Sequence, residues 1–212
     1  MPDPTTCRPR IEGERESEIF TAVVALLVEA GYDKLTFDAV ATTVRASKAT
    51  LYRRWPTKAD LVLDAVAAQL AAPAARAEDD DTGSLRTDLL AQACGPGGLC
   101  DDSPAVLGAL VPAMHRDADL FAAFRRRFVQ PKLDRALAAF ERAQERGEVG
   151  ADADLHLLAN TLPAICVHDM FVFDIHANPE RVAHVLDSVV LPAARATLGH
   201  EPAAPAAVRP LP

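Results

Sequence analysis

The chain has 212 residues, half of them hydrophobic and only 5% aromatic. Its apolar share is mostly Ala, Leu and Val, which suits helices better than sheets and fills the core of one large domain or two modest ones. A net charge of −8 excludes non-specific nucleic-acid binding by the surface as a whole,.

Residues 1–11 read as a disordered lead-in. Over 12–30 the apolar residues Ile19, Val23, Leu26, Leu27 and Ala30 recur at the spacing of one buried helical face, and Gly31 follows as a stop,. Thr36 can cap a short helix over 37–44 with Phe37, Val40, Ala41 and Val44 inward, and Ser47 can cap another that runs to about Trp55,. Thr57 and Asp60 fit a capping box that opens a longer helix over 58–72,. The acidic stretch 73–83 is the expected boundary before a second set of helices. That set begins with 84–94, a Gly/Pro break and a helix opened by Ser103-Pro104,. A long helix over 118–146 follows, with Phe121, Phe124 and Phe128 in a stripe and a kink expected at Pro131,. Another runs from Asp152 or Asp154 to about His176, and Asn178-Pro179 opens the last, to about Leu198. Residues 199–212 are a Pro/Ala tail expected to be disordered. The expectation is an all-α fold of about nine helices: a three-helix unit over 12–58, a linking helix over 58–72, and a helical domain over 84–198.

No run of about 18 apolar residues and no apolar N-terminal stretch is present, so neither a membrane span nor a signal peptide is expected, and the protein is expected to be cytoplasmic,. The cysteines Cys7, Cys94, Cys100 and Cys166 form no CxxC pair. They read as reduced thiols, with a Cys94–Cys100 bridge or redox switch as the alternative.

Charge is not spread evenly. Residues 34–58 carry Lys34, Arg45, Lys48, Arg53, Arg54 and Lys58 against the single acid Asp38, while the rest of the chain is acidic. A basic segment on an acidic body is the footprint of a module that touches phosphate. Two short helices joined by a tight turn, the second of them basic, form the pattern of a helix-turn-helix DNA reader, whose second helix enters the major groove by its N-terminal residues. Backbone N–H groups after Ser47, Thr36 and Thr57 point outward and can donate to phosphates. Lys48, Ala49 and Arg45 sit where base edges are reached, since Lys can donate to guanine and a methyl can meet thymine. Thr50, Tyr52, Arg53, Arg54 and Lys58 can hold phosphates and set register. The plainer alternative makes Trp55 a core residue, gives Tyr52 a buried ring with its hydroxyl at the DNA surface, and leaves at least one of Arg53 and Arg54 a solvated charge.

The segment "GYDKLTFDAVATTVRASKATLYRRWPTKADL", residues 31–61, resembles the helix-turn-helix of the tetracycline-repressor (TetR) family through Gly31, Tyr32, Thr36, Val40, Ala41, Ser47, Thr50, Leu51, Tyr52, Trp55, Lys58 and Leu61. The resemblance implies that Thr36, Tyr52 and Lys58 contact phosphates and that Lys48, with Phe37 and Ala49 nearby, faces bases. Two positions depart from the pattern. Arg45 stands where the inter-helix turn usually has Gly, a position that often needs positive φ, and Trp55 replaces the commoner Phe.

The resemblance also implies that the second domain dimerises and binds an effector. Leu155, Leu158, Leu162 and Ile165 on one helix, and Val182, Val185, Leu186, Val189 and Val190 on the next, offer more apolar surface than a monomer is expected to cover, so a symmetric helix-pair interface is expected there. An effector pocket is expected among Met114, Phe121, Phe124, Phe128, Leu162, Cys166, Met170 and Phe171, with His115, His168 and Asp169 as polar groups to orient a small hydrophobic ligand; ordinary core is the alternative. His168, Asp169, Asp174 and His176 suggest a metal set, but residue 172 is Val where an i, i+4 ligand is needed, so no metal and no cofactor are expected. No nucleophile triad, phosphate loop or HExxH motif appears, so an enzyme is not expected. The function expected is a homodimeric regulator, most often a repressor in this family, released from a palindromic double-stranded DNA operator by its effector. A constitutive DNA-binding or protein-interaction module without an effector is the alternative.

Overall fold

A computed structural model describes residues 13–70 and 81–196. Among these residues there is no strand, and counting each π segment with the helices that it joins gives nine helices. The expected lead-in, most of the acidic linker and the C-terminal tail lie outside the described residues. The chain divides by contact into two compact units, Met1–Ala72 with Ser103–Phe124, and Pro73–Asp102 with Arg125–Pro212.

The first unit begins with α1 (Glu14–Ala30), which buries Ile19, Val23, Val24 and Leu27 and carries Glu14 and Glu16 in its first turn, where the helix dipole favours acids,. Gly31 takes φ 80 after the last turn and donates its N–H to the Leu27 carbonyl at 2.9 Å,. α2 (Phe37–Thr43) starts because Thr36 Oγ1 accepts from Ala39 N at 3.1 Å. α3 (Lys48–Arg54) starts because Ser47 Oγ accepts from Thr50 N at 3.1 Å. The capping box of α4 (Lys58–Leu70) closes both ways: Asp60 N donates to Thr57 Oγ1 at 3.0 Å and Thr57 N to Asp60 Oδ2 at 3.2 Å,. α1 packs against α4, around a core that includes Leu51, Leu61 and Val62. Trp55 is 1% exposed, edge-on to Phe20 with ring centroids 5.7 Å apart, and its indole N–H donates to Asp64 at 2.7 Å. Burying such a side chain contributes about 2–3 kcal/mol, and the Asp64 bond removes the cost of its one polar atom. α6 (Pro104–Met114), capped by Ser103 with proline at its first position, lies on α1, and α7 (Ala118–Phe124) lies on α4,.

The second unit comprises α5 (Leu85–Cys94), α8 (Gln130–Glu145), α9 (Leu155–Phe173), α10 (Pro179–Val185) and α11 (Leu191–Ala196). Its core joins Leu85, Leu89, Phe140, Ala143, Leu158, Leu162, Val182 and Leu186. One carboxylate sits at its edge. Asp88 is fully buried and accepts from the backbone N and the hydroxyl of Thr82 at 2.7 and 2.6 Å, with Arg142 and Arg146 at 3.7 and 3.6 Å. This cluster ties the start of α5 to the end of α8.

The long helix expected over 118–146 is present, with a π segment ahead of its proline. A π segment, Arg125–Val129, precedes Pro131, and a second one, Leu186–Val190, precedes Pro192. Proline has no N–H to donate and crowds the preceding turn. A wider turn just ahead of it relieves both problems without ending the helix. α9 ends at Phe173 instead of His176, because Asp174 adopts φ 55 and its N–H, with that of Ile175, turns back to the Asp169 carbonyl,.

Candidate nucleic-acid interface

The turn between α2 and α3 is built by Val44, Arg45 and Ala46. Arg45 adopts φ 50, the left-handed conformation that the missing glycine would have taken without strain, and its side chain is exposed,. Two backbone bonds hold it there, Arg45 N to Thr42 O at 3.4 Å and Ala46 N to Ala41 O at 2.9 Å. A guanidinium from α1 completes the lock: Arg15, itself paired with Glu18, donates to the Val44 carbonyl.

Beyond the turn, α3 turns Leu51 inward and leaves Ser47, Lys48, Ala49, Tyr52, Arg53 and Arg54 exposed. Lys48 is ion-paired with Asp38 of α2 at 2.8 Å, and that hydrogen bond raises the lysine pKa above its ordinary value. Its ammonium also lies 5.9 Å from the centre of the Tyr52 ring. Tyr52 stacks on Phe37 with centroids 4.1 Å apart. The expectation of a buried Tyr52 ring is therefore corrected: the tyrosine is 46% exposed, while Phe37 beneath it is 6% exposed. Phe37 is the platform and Tyr52 the exposed layer, so the ring of Phe37 is not free to meet bases.

The other expected contacts divide by what already holds them. Thr50 is half-buried, with its hydroxyl 2.6 Å from that of Ser47. Thr36 is exposed but its oxygen caps α2, which leaves the hydroxyl hydrogen to donate elsewhere. Arg54 pairs with Glu16 at 3.2 Å and lies over the Trp55 ring. Lys58 donates to the Tyr32 carbonyl at 2.9 Å and sits 4.2 Å from the centre of that ring. Tyr32 is buried, and burial, with Asp117, Asp33 and Asp60 around it, pushes its phenol up to about 12. Asp38 is a residue that reading side chains singly misses: it is ten positions from Lys48, and only the folded turn brings the two together.

The residues expected to form an effector pocket fall on both units. Met114, His115, Phe121 and Phe124 belong to the first, and Phe128, Leu162, Cys166, His168, Asp169, Met170 and Phe171 to the second. Leu162 and Cys166 are part of the second unit's own core. Asp169 is corrected as a ligand-orienting group: it is 5% exposed and accepts two bonds from Arg181, at 2.6 and 2.8 Å. His168 is exposed and edge-on to Phe173, and His176 faces the exposed Asp174 at 3.7 Å. Among the described residues no group of three or more His, Cys, Asp or Glu could hold a metal. A groove of about 720 Å3 runs beside α1 and α4, lined by Phe20, Val24, Val28 and Ala65, and contains none of the expected pocket residues.

The expected interface residues are also corrected. Leu158, Leu162, Val182, Val185, Leu186 and Val190 are buried in the second unit's own core, and Leu155 and Ile165 are half-buried against it. They are not surplus surface, because the neighbouring helices of the same subunit already cover them; of the set only Val189 is exposed. The apolar residues that do face outward on α9 and just past its end are Leu157, Val167, Phe171, Val172, Phe173 and Ile175. By length and composition α9 is also apolar enough to cross a membrane, contrary to the expectation of no such segment. Its other side packs into the unit's core.

Comparison with known proteins gives a consistent result. Residues 19–65 match the family model described as bacterial regulatory proteins, tetR family, and residues 79–189 match the tetracyclin repressor-like C-terminal domain. An HTH-type transcriptional regulator of Mycobacterium tuberculosis is 32% identical over 203 residues, covering 93% of this chain and 94% of the relative. A DNA-binding transcriptional repressor of Mycobacteroides abscessus is 38% identical over 161 residues, covering 74% and 82%. The crystal structure of a TetR family transcription regulator superimposes with a TM-score of 0.56 at 32% identity, covering 85% of this chain and 98% of that one.

Proposed function

Because the chain belongs to the TetR family of helix-turn-helix transcriptional regulators, a DNA-binding and non-enzymatic class, we propose that it is a repressor that binds a palindromic operator as a homodimer and leaves it when a small hydrophobic effector binds. The observation that carries this reading is the division of α3 between an inner face closed by Leu51 and an exposed outer face of Ser47, Lys48, Ala49, Tyr52 and Arg53 beside Arg45. In this reading Lys48 and Ala49 meet base edges. Thr36, Arg45, Thr50, Tyr52, Arg53, Arg54 and Lys58 hold phosphates, and Phe37 supports Tyr52 from below. In this reading 12–58 reads DNA, the helix at 58–72 links, and 84–198 carries dimerisation and the effector, with the stretch 103–124 packed in the first unit.

A second copy docks on the outward apolar residues of α9 (Leu157, Val167, Phe171, Val172) together with Val189, since these are the large apolar side chains that the subunit leaves uncovered there,. Two half-sites about one helical turn apart, ~34–36 Å, then raise the affinity of two weak readers. Release requires that the effector bind better to the conformation in which the two reading helices no longer match successive grooves. The test is a footprint on an operator selected from random DNA, repeated with a panel of hydrophobic metabolites. A two-fold symmetric footprint that one of them abolishes supports the proposal, and an asymmetric footprint contradicts it. A symmetric footprint that none of them abolishes favours the module without an effector.

A further inference from the structure

Two thiols meet at the end of α5. Cys94 is the last residue of that helix and Cys100 lies on the short 3-10 helix Leu99–Asp101, with their Sγ atoms 3.1 Å apart and both side chains half-buried. The intervening Gly-Pro-Gly-Gly loop is held in place by its backbone. Gly95 N donates to Ala91 O at 2.7 Å, Gly98 N to Gly95 O at 2.9 Å, and Gly97 N to Asp101 Oδ2 at 2.8 Å. Glycine is required three times: Gly97 has φ 72, and a Cβ on Gly95 or Gly98 would stand 2.5 Å from the Ala91 or 2.4 Å from the Ala93 carbonyl oxygen,. Past the pair, Asp102 is tied to Lys132 at 2.9 Å. The sulfurs are therefore brought together by anchored backbone, about 1 Å beyond disulfide bonding distance,.

We propose that Cys94 and Cys100 form a reversible oxidation site that closes to an intramolecular disulfide when the folded protein meets a hydroperoxide. The Cys100 thiolate attacks the terminal peroxide oxygen, the O–O bond breaks, and an alcohol, or water from hydrogen peroxide, leaves with the proton; Cys100 is now a sulfenic acid. The Cys94 sulfur then attacks the Cys100 sulfur, the S–O bond breaks, and water carries off the hydroxyl and the Cys94 proton. In sum the two thiols lose two protons and two electrons, and the peroxide gains them. The same steps with the two roles exchanged give the same disulfide, and burial, with the hydrogen bond to Cys100, pushes the Cys94 thiol up to about 12,. Its position beside Cys100 supplies in proximity what it lacks in ionisation. A bridge across so short a loop removes little entropy from the unfolded chain, so it serves as a switchable modification and not as a staple. Cys166 is 2% exposed and is shielded from the oxidant.

The full chain, reduced and freed of reductant, is treated with stoichiometric hydrogen peroxide, alkylated and digested with trypsin, which leaves both residues in one peptide, 87–116. The expected result is loss of both alkylatable thiols from that peptide, which becomes lighter by two hydrogens and recovers both after treatment with a thiol reductant. Cys100→Ser is expected to leave Cys94 fully alkylatable. The proposal is overturned if both thiols stay alkylatable, if the peptide gains oxygen instead of losing hydrogen, or if either residue becomes linked to Cys7 or Cys166.

Discussion

Arg45 carries two opposed consequences in one residue. Its φ of 50 costs about 1–2 kcal/mol in an L-residue,, and its exposed guanidinium sits beside the first residues of α3. Replacing it with glycine removes the strain but loosens the unfolded chain, so Arg45→Gly is expected to raise folding stability by no more than about 1 kcal/mol in a thermal melt. The same variant is expected to lower operator affinity and to flatten the salt dependence by about one phosphate contact, a change of ~0.9 in the log–log slope. A melt that moves down, or an unchanged slope, contradicts this assignment. The departure from glycine was visible in the sequence together with its backbone consequence. Asp38 was not, because an ion pair across a turn depends on how the turn folds.

Capping residues carry most of what the sequence reveals about the elements. Thr36, Ser47, Thr57, Ser84, Ser103, Asp154 and Asn178 all stand one residue before a helix, and a cap is legible because its chemistry is local. The π segments were not foreseen: proline at 131 announces a disturbance, but whether a helix kinks or widens is settled by the packing around it. Asp88 was missed for a related reason. An acid within a helix reads as surface until the partners supplied by Thr82, Arg142 and Arg146 are known. Asp88→Ala leaves the Thr82 N–H and hydroxyl without their acceptor, while Arg146 keeps Asp81 at 3.2 Å and Glu148 at 2.7 Å, and is expected to destabilise the second unit by about 1–3 kcal/mol,. Chemical denaturation checks this, and a loss under about 1 kcal/mol means that the cluster is solvated in solution.

At the scale of the whole molecule, the apolar helices near the C-terminus are legible in the sequence, but most of the residues it offers for the interface are covered by the subunit's own core. Periodicity finds an apolar face without saying which neighbour covers it. α9 is apolar on two sides, and the side read as surplus belongs to the subunit's own core. The proposed dimer therefore rests on the other side. Val172, 59% exposed, is the residue to test: Val172→Asp places a charge in the interface without touching the core, and is expected to weaken dimerisation by about 3 kcal/mol, roughly a hundredfold. Analytical ultracentrifugation of the folded variant reads this directly, and a wild-type protein that is already monomeric at micromolar concentration removes the proposal.

The central claim is that the exposed N-terminal end of α3 reads bases. Selection from random DNA with wild-type protein and with Lys48→Ala tests it most directly, since Lys48 is the first residue of α3 and carries its foremost cation. The account predicts that the variant loses its preference at one symmetric pair of positions and about 1–3 kcal/mol of affinity for the wild-type site, while binding to unrelated DNA falls much less. The same enriched sequence from both proteins, or no enrichment by either, would contradict it.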